Sequence, residues 1–463
     1  MKVSVIGTGY VGLVTATCFA FLGHDVSCLD INPERIELLK KGNIPIYEPY
    51  LEDLLAICKT NDNYPKFSTD SKEVISHGEF IFIAVGTPPK ENGEANLSYL
   101  ESAARSIGQY LSDGAIVINK STVPVGSGNW VAMLVENGIA SRATANSNTA
   151  TATKVNFAVA SNPEFLREGC AIADSLYPDR IVIGTDDELT ANKLKSLYQK
   201  LSSQSFTAPD FCPRPSNYKE SQLIATDITS AEMIKYSANA FLASKISFAN
   251  QIANICDLVG ADVNQVMNGI GTDSRIGHKF LNAGIGWGGS CFGKDIDALI
   301  NIAREYGYDP EILKAAKTVN YRQRDLVIKR LQEQMKIIKG KKIALLGLAF
   351  KPNTDDLRDA PSLDLARSLI KLGAMVRACD PVAIEHCKKQ NPDIEIYYYE
   401  DPYEMAAGVD AIVLVTEWNE YINLDTTKLK SLMAGNIFID GRNQYSPSQL
   451  KEKGFIYIGM GRH

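Results

Sequence analysis

The sequence predicts an α/β protein in which two doubly wound, Rossmann-like domains are joined by a long central helix and a helical middle domain. Two observations lead to this prediction. A strand, a glycine turn, a helix and a second strand open the chain, and a similar plan returns at Lys341. Between these regions, Ala231–Val259 carries apolar residues at helical spacing, contains no proline and exceeds an average helix in length. The predicted domains are residues 1–222, 223–330 and 331–463.

The composition is that of a globular protein with several hydrophobic cores. A chain of 463 residues, 45% hydrophobic and 22% charged, has room for about two or three domains. Its net charge of −6 argues against a nucleic-acid partner, which usually binds a basic face. No apolar run reaches the ~18 residues of a membrane-spanning helix, and the N-terminus does not resemble a signal peptide. We therefore expect a cytoplasmic protein without a membrane partner, a disulfide framework or a metal site.

The chain begins with a predicted βαβ unit. The strand Val3–Ile6 leads into the glycine turn Gly7–Gly12, which follows the pattern G-x-G-x-x-G. A helix over Val11–Leu22 and a strand over Asp25–Leu29 complete the unit. This pattern is weak when it occurs alone, but here it follows a strand and opens a helix, which is the context of a dinucleotide-binding site.

Each glycine of the turn has a separate predicted role. Gly7 permits the tight turn, Gly9 lets backbone N–H groups approach a pyrophosphate, and Gly12 lets the helix pack close to the sheet. Asp30 ends the second strand, where a carboxylate accepts from a ribose 2′-hydroxyl and repels a 2′-phosphate, although Arg35 nearby could serve NADP. We predict NAD as the cofactor, bound at the helix N-terminus by this turn, including Tyr10 and Val11.

Later strands of the first domain end in polar turns. These strands are predicted at Phe80–Val85, Ala115–Asn119, Phe157–Ser161 and Ile181–Ile183. Thr87 follows the first of them, and Ser121 and Thr122 follow the second, at the sheet edge where open α/β folds bind ligands. Two segments resemble insertions, residues 141–153 and 202–222, and we predict that both are mobile surface loops.

The middle region contains two predicted helices and an unusual glycine string. Thr229–Glu232 has the pattern of a capping box for the central helix, and a second helix is predicted over Pro310–Lys336. The string Gly284–Asp295 places several glycines beside Cys291, which indicates close approach of the backbone to a ligand.

Cys291 is the candidate nucleophile of the chain. A helical pattern follows it from Asp295 to Tyr306, and a thiol near a helix N-terminus has a stabilised thiolate. Asp295 lies about one helical turn further on, so a thiolate and a carboxylate can share one site. This pair suits covalent catalysis on a carbonyl carbon. A glycine-rich turn with an incidental cysteine remains the alternative.

The third domain repeats the plan of the first without a full glycine fingerprint. Its predicted elements are the strand Ile343–Leu346, a turn at Gly347, the helix Leu363–Leu372 and the strands Met375–Cys379, Ala411–Thr416 and Ile437–Ile439. In place of the fingerprint it carries the polar loop Lys351–Asp359, which is long enough to indicate a function.

Several motifs in one order resemble the UDP-glucose/GDP-mannose dehydrogenase family. They are the glycine fingerprint, Lys120–Pro124, Asn162–Leu166, Ala231–Phe241 and Gly288–Asp295, and the likeness extends from Met1 to about Ile439. The resemblance implies that Cys291 is the nucleophile and that Lys235 and Asn239 face the reacting oxygen. It also implies that Asp295, Thr122 and Glu164 place and activate water.

The resemblance implies two further sets of binding residues. Substrate contacts would come from Glu164, Phe165, Leu166, Arg167, Glu168, Lys235, Asn239, Arg275, Phe280, Gly288 and Lys351, with Arg275 reaching the substrate of a neighbouring subunit. Besides the residues of the first domain, cofactor contacts would come from Glu168, Lys294 and Arg358.

The implied reaction is a four-electron oxidation of a sugar nucleotide at C6 by two NAD molecules in turn, through a thiohemiacetal and a thioester on Cys291. UDP-glucose, oxidised to UDP-glucuronate, is the expected substrate, with GDP-mannose or a UDP-N-acetylhexosamine as the alternative. A non-catalytic NAD-binding regulator is the alternative of a different class. We also expect a homodimer or a higher homo-oligomer.

Overall fold

The computed structural model describes residues 1–88, 90, 95–145, 155–218 and 220–463, and the chain divides into two compact units, Met1–Ser237 and Ala238–His463. Each unit contains one largely parallel sheet with helices on its faces, which confirms the predicted fold class. Among the described residues, no helix has both the length and the apolar composition to cross a bilayer.

The first unit is built on a sheet that, over the described residues, has eight strands in the order β3-β2-β1-β4-β5-β6-β7-β8. The strands are β1 (Lys2–Ile6), β2 (Asp25–Leu29), β3 (Lys66–Ser68), β4 (Phe80–Ile83), β5 (Ala115–Asn119), β6 (Phe157–Ser161), β7 (Arg180–Gly184) and β8 (Gln222–Thr226). Neighbouring strands are parallel except for β6 and β7. The strand order reverses direction between β1 and β4, which is where doubly wound sheets bind ligands.

The helices of this unit cover the sheet on both faces, and its central strands β4 and β5 are buried along their whole length. They are α1 (Tyr10–Phe21), α2 (Pro33–Lys40), α3 (Leu51–Thr60), α4 (Ser71–His77), α5 (Ser98–Tyr110), α6 (Ser127–Ala145), α7 (Ala171–Leu176), α8 (Glu188–Leu197) and α9 (Gln199–Ser202). The long helix α10 (Ile228–Val259) begins in this unit and continues into the next.

The predicted loop over residues 202–222 is instead a packed part of the first unit where it is described. Phe206 stacks on Tyr177 with 6.1 Å between ring centroids, and the Tyr177 hydroxyl donates to the carbonyl of buried Cys212 at 2.7 Å. The Tyr218 hydroxyl donates to the Pro178 carbonyl, and the segment ends in strand β8. Of the other predicted loop, residues 141–145 end helix α6, whereas 146–153 lie outside the described residues.

Helix α10 begins three residues before the predicted start, and its cap is not the predicted capping box. The Asp227 carboxylate accepts from the backbone N–H of Ser230 at 2.8 Å, which satisfies one of the free donors of the first turn. Glu232, the expected partner of Thr229 in the capping box, accepts instead from the backbone N–H of Gly126. The capping-box prediction is therefore wrong, because Asp227 already fills the cap position.

The second unit carries a parallel sheet with the order β11-β10-β9-β12-β13-β14, the same doubly wound order. Its strands are β9 (Lys342–Leu346), β10 (Met375–Cys379), β11 (Ile396–Tyr399), β12 (Ala411–Leu414), β13 (Ile437–Asp440) and β14 (Ile456–Gly459). Its remaining helices are α11 (Val263–Gly271), α12 (Phe292–Glu305), α13 (Glu311–Met335), α14 (Pro361–Lys371), α15 (Ile384–Gln390), α16 (Pro402–Ala406), α17 (Asn419–Ile422), α18 (Thr426–Leu432) and α19 (Pro447–Glu452).

The two sheets differ in what surrounds the acidic residue after their second strand. In the second unit this residue, Asp380, is buried. Its Oδ2 accepts from the backbone N–H groups of Leu348 and Ala349 at 2.7 and 3.0 Å and from Trp418 Nε1 at 3.2 Å. Its Oδ1 accepts from the N–H groups of residues 382 and 383. The buried Asp380 carboxylate therefore holds the turn after β9 in place through hydrogen bonds to its backbone.

Candidate active site

The glycine turn after β1 combines two positions that the fold requires with one that is open. Gly7 has φ +98°, and a Cβ there would lie 2.7 Å from the Ala84 carbonyl oxygen. A Cβ on Gly12 would lie 1.9 Å from the carbonyl oxygen of Gly7, so helix α1 could not pack as it does. A Cβ on Gly9 would meet no atom of the described residues within 4 Å, apart from its chain neighbours. Because Gly9 precedes α1 and has no side chain to cap it, the first N–H groups of α1 can face the pyrophosphate of NAD.

We expect Gly9→Ala and Gly12→Ala to fail in different ways. Gly9 has an extended backbone and open space, so Gly9→Ala should keep the wild-type melting temperature but weaken NAD binding about tenfold or more, because its methyl group occupies the pyrophosphate side. Gly12→Ala should destabilise the first unit by about 2 kcal/mol or more, because its methyl group overlaps a backbone carbonyl. Calorimetric melting and NAD titration distinguish the two variants. If both variants changed the melting temperature and the NAD affinity by the same amounts, the separate roles assigned to Gly9 and Gly12 would be contradicted.

Asp30 is a buried carboxylate beside this turn. Its Oδ2 accepts from the Thr8 backbone N–H at 2.8 Å and the Thr8 hydroxyl at 2.7 Å, and its Oδ1 accepts from the Asn32 N–H at 3.0 Å. Arg35 Nη1 lies 3.5 Å from Oδ2. Burial by itself would raise the pKa of Asp30, but the bonds from Asn32 and Thr8 and the charge of Arg35 bring that pKa below its ordinary value. The carboxylate is therefore ionised and repels a 2′-phosphate.

We expect Asp30→Asn to raise the ratio of kcat/KM with NADP to kcat/KM with NAD by about tenfold, equivalent to about 1.4 kcal/mol of removed charge repulsion. Asparagine keeps an oxygen for the Thr8 N–H and removes the charge. Arg35 should contribute to the gain, so adding Arg35→Ala to Asp30→Asn should reduce it. An unchanged cofactor ratio in Asp30→Asn would contradict the role of Asp30.

The predicted cofactor residues Thr87, Ser121 and Thr122 lie on turns after the neighbouring strands β4 and β5. The Thr87 hydroxyl donates to the Thr122 carbonyl at 2.8 Å, and the Ser121 hydroxyl donates to the Val85 carbonyl at 2.8 Å. These bonds tie the two turns together at the carboxyl edge of the sheet.

A small cavity of the first unit lies beside these turns. Among the described residues it is lined by Lys120, Ser121, Thr122, Val123, Ser161, Pro163, Glu164, Glu232, Lys235 and Tyr236. The sequence predicted Ser121, Thr122, Glu164 and Lys235 as site residues but did not assign the others a role at the site. Apart from Ser161, every missed residue lies inside one of the motifs that carry the family resemblance, so those motifs were the available signal.

The charged centre of this cavity is an ion pair between Glu164 and Lys235. Lys235 Nζ lies 2.7 Å from Glu164 Oε1, and both side chains are more than nine-tenths buried. Glu164 Oε2 accepts from the Leu166 N–H at 2.9 Å, and Lys235 Nζ lies 5.7 Å from the centroid of the Phe165 ring. The pair holds a buried ammonium group in this cavity, and a group of this kind is able to stabilise an oxyanion.

Lys120 adds a second cation to the same cavity. Its Nζ donates to Asn162 Oδ1 at 3.0 Å, and Asn162 Oδ1 also accepts from the Tyr198 hydroxyl. Burial lowers the pKa of Lys120 to about 8, while Glu164 raises it and Lys235 lowers it further. The negative charge of Glu164 therefore interacts with the positive charges of both Lys235 and Lys120.

In the second unit, the structure places Cys291 at the cap position directly before helix α12, in agreement with its predicted place at a helix N-terminus. The Cys291 side chain is partly exposed, and its Sγ lies 3.6 Å from Ser290 Oγ. Asp295 is almost fully buried one turn later, and its backbone N–H donates to the Cys291 carbonyl at 2.9 Å. Its carboxylate accepts from Asn239 Nδ2 and from Lys294 Nζ, both at 2.6 Å.

The glycines before Cys291 are explained by the protein itself. A Cβ on Gly286 would lie 2.7 Å from Asn320 Oδ1, and one on Gly288 would lie 2.3 Å from the Asp359 carbonyl oxygen. A Cβ on Gly289 would lie 2.7 Å from the Phe350 ring. Close contacts with protein atoms therefore account for glycine at these three positions, and the approach of a ligand to this string stays a prediction. Substrate binding by Gly288 stays a prediction.

Other predicted substrate residues of the first unit follow Glu164. The Phe165 ring lies 3.9 Å from the guanidinium carbon of Arg180, and Arg167 forms a bidentate pair with Asp174. Glu168 is partly buried. The Tyr10 hydroxyl, on α1, accepts from the Gly169 N–H at 2.8 Å, so the glycine turn and this segment are in contact.

The remaining predicted residues of the second unit are more dispersed. Arg275 is exposed and pairs with Asp273, and Phe280, at φ +66°, lies edge-on to Phe292 at 6.4 Å. Lys351 Nζ lies 5.3 Å from the centroid of the Phe350 ring. Arg358 is largely exposed and forms a bidentate pair with Asp356.

Three family models match the chain in order. The models are those of the UDP-glucose/GDP-mannose dehydrogenase family: the NAD binding domain matches residues 1–202, the central domain 229–322 and the UDP binding domain 344–447. The chain is 45% identical to UDP-glucose 6-dehydrogenase TuaD of Bacillus subtilis (strain 168), covering 100% of this chain and 93% of that protein. It is 42% identical to a UDP-glucose 6-dehydrogenase of Pseudomonas aeruginosa, covering 100% and 98%.

A solved structure shows the same fold over the whole chain. A UDP-glucose dehydrogenase from the archaeon Pyrobaculum islandicum is 36% identical, with a TM-score of 0.86, and the match covers 100% of this chain and 98% of that one. The glycine turn, the open side of Gly9 and the ionised Asp30 fit the NAD binding domain of the family model. The chain is an NAD-dependent dehydrogenase and belongs to the UDP-glucose/GDP-mannose dehydrogenase family.

Proposed function

We propose that this chain oxidises UDP-glucose at C6 to UDP-glucuronate. The observation that carries the proposal is Cys291 at the N-terminus of helix α12, with the Asp295 carboxylate one turn away, in a chain whose relatives are named UDP-glucose 6-dehydrogenases. A nucleophilic thiol enables an alcohol dehydrogenase to continue from the aldehyde to the acid through a covalent intermediate.

The first oxidation converts the C6 alcohol to an aldehyde. NAD supplies the hydride acceptor. We assign Lys235 to the hydroxyl oxygen, where its ammonium group, held by Glu164, stabilises the alkoxide as the proton leaves to a bound water. Asn239 Nδ2 donates to the Asp295 carboxylate, so in this proposal it holds that carboxylate in place.

The second oxidation proceeds on the protein. Cys291 Sγ adds as the thiolate to the aldehyde carbon and forms a thiohemiacetal, which becomes a thioester as it loses its hydride to a second NAD and its hydroxyl proton to solvent. Water then attacks the acyl carbon with Asp295 or Glu164 as the base, and the sulfur leaves as the acid is released. The thioester keeps the acyl group on the enzyme between the two hydride transfers, so the aldehyde need not escape.

An absorbance assay for NADH with a panel of sugar nucleotides tests this function. UDP-glucose should give two NADH per molecule consumed, with lower kcat/KM for GDP-mannose and UDP-N-acetylglucosamine. A higher kcat/KM for another member of the panel would reassign the substrate. NAD binding without turnover of any member would favour a regulator.

We further propose that the chain forms at least a homodimer through helix α10. From Phe241 onwards this helix exposes large apolar side chains, among them Phe241, Phe248 and Leu258, which are 67%, 50% and 86% exposed. A surface of this kind is typical of an interface. Arg275, largely exposed after helix α11, would reach the substrate of the partner.

We expect the paired change Phe248→Glu/Leu258→Glu to shift the sedimenting species from the oligomer to the monomer, because it places charges in an apolar interface. Tyr306→Glu alters a side chain that is as exposed as Leu258, at the residue that follows helix α12, and should leave the assembly intact. A fully active wild-type monomer at micromolar concentration would contradict the proposed dimer.

A further inference from the structure

Glu232 is a buried carboxylate of the first-unit cavity that the proposed chemistry does not use. It lies on helix α10 three residues before Lys235 and is 4% exposed. Its Oε2 accepts from the backbone N–H of Gly126 at 2.6 Å. Its Oε1 is buried and has no hydrogen-bond partner among the residues that the structure describes.

Gly126 ends the loop that carries Ser121 and Thr122. The start of this loop is tied to the neighbouring turn through the Ser121 hydroxyl and the Thr122 carbonyl. Its end runs directly into helix α6, and Glu232 is bound at that point. Removal of this carboxylate would leave the Gly126 N–H without its side-chain acceptor from α10.

The electrostatic surroundings of Glu232 are mixed. The N-terminus of α6 favours a negative charge there, because its N–H groups point towards the carboxylate. Burial raises the pKa of Glu232 to about 7, and the N–H groups of Gly126, Gly128 and Ser127 oppose that rise. The other titratable groups of the cavity are Lys120 after β5, Glu164 after β6, and Lys235 and Tyr236 on α10.

We propose that Glu232 is a positioning residue, whose ionised carboxylate holds the loop of Thr122 against the helix of Lys235. A bond from Gly126 to a carboxylate is stronger than the same bond to a neutral carboxyl or amide. The loop is therefore held more firmly above pH 7 than below it. This inference rests on the proposed function only where activity is the readout.

The buried charge of Glu232 also lowers the free energy of unfolding, and this effect can be measured separately from activity. A carboxyl whose pKa is raised in the folded chain binds a proton more tightly there than in the unfolded chain, so its contribution to stability falls as the pH rises from about 4.5 to about 7. A glutamine at this position has no such dependence. Glu232→Gln should therefore melt at a higher temperature than the wild type at pH 8, although its activity is lower.

The test compares wild type, Glu232→Gln and the exposed control Glu188→Gln in the full-length chain. The ratio of wild-type to Glu232→Gln kcat with UDP-glucose should be about one at pH 6 and about ten at pH 8.5. The control should follow the wild type throughout. A ratio that does not change with pH would overturn the proposal, because a merely structural role predicts a constant loss.

Amide hydrogen exchange provides the readout that does not depend on the reaction. At pH 8 the peptide covering residues 124–130 should exchange about tenfold faster in Glu232→Gln than in the wild type, while the glycine turn at residues 7–12 exchanges equally. If no sugar nucleotide is turned over, the proposed function fails and this measurement still decides the role of Glu232. Equal exchange in the two proteins would overturn that role.

Discussion

Cys291→Ser is expected to lower the rate of acid formation about 10³-fold or more while leaving the first hydride transfer measurable. A serine hydroxyl is not ionised at neutral pH, and an oxygen ester turns over more slowly than a thioester. The alcohol step requires hydride acceptance and charge stabilisation but not sulfur. The variant should therefore accumulate sugar at the aldehyde or ester level.

Rapid mixing followed by mass spectrometry checks this prediction. One NADH should appear in the burst, and the protein or the released product should carry aldehyde-level or ester-linked sugar nucleotide. Cys170→Ser is a matched control, because Cys170 also occupies the cap position of a helix, α7, and is exposed. Steady formation of the uronate by Cys291→Ser near the wild-type rate would eliminate the covalent mechanism.

Lys235→Met should both abolish efficient turnover and destabilise the first unit. The change removes the cation that is in direct contact with the buried Glu164 carboxylate and leaves only Lys120 in the same cavity; breaking a buried pair in this way typically costs about 3–5 kcal/mol. The loss of the ammonium group should lower kcat about 10²–10³-fold, as the removal of an oxyanion-stabilising group does. Glu164→Gln/Lys235→Met removes both charges and should recover most of the stability but not the activity.

Urea unfolding and steady-state NADH formation separate these two effects. The control is Lys66→Met, which breaks the exposed pair of Lys66 with Asp25 and should change stability by no more than about 1 kcal/mol. If the double variant were as unstable as Lys235→Met, the buried unpaired charge would not be the cause. If it regained activity, Lys235 would not act on the reacting oxygen.

The regular elements could be predicted from the sequence because their signals are local. The strands β5, β6 and β10 have the predicted bounds, since each is a short apolar run with clear limits. The packing of residues 202–222 could not be predicted in this way. Their place depends on Phe206 meeting Tyr177, and no periodic pattern in the segment records that contact.

The candidate site shows the same division. The helical pattern of the residues after Cys291 predicts that Cys291 lies directly before a helix, and the structure confirms this position. The neighbours of the glycine string come from Asn320, Phe350 and Asp359, which are distant in sequence, so ligand and protein could not be told apart. The local spacing of Thr229 and Glu232 predicts a cap. The bond that Glu232 forms instead, with Gly126, spans more than one hundred residues and leaves no local signal in the sequence.

The hydrogen bonds of Asp380 set a limit on redesign of the second sheet. A carboxylate has about four lone-pair sites. Among described residues, Asp380 accepts from four backbone N–H groups and the Trp418 indole, which saturates it. Among the same described residues, Asp30 Oδ2 accepts from Thr8 and Arg35, whereas its Oδ1 accepts from the Asn32 N–H alone, which leaves Oδ1 free to accept from a ribose hydroxyl. Grafting glycines onto the turn after β9 would therefore not create a second cofactor site, because the carboxylate of Asp380 has no free lone pair with which to accept from a ribose hydroxyl.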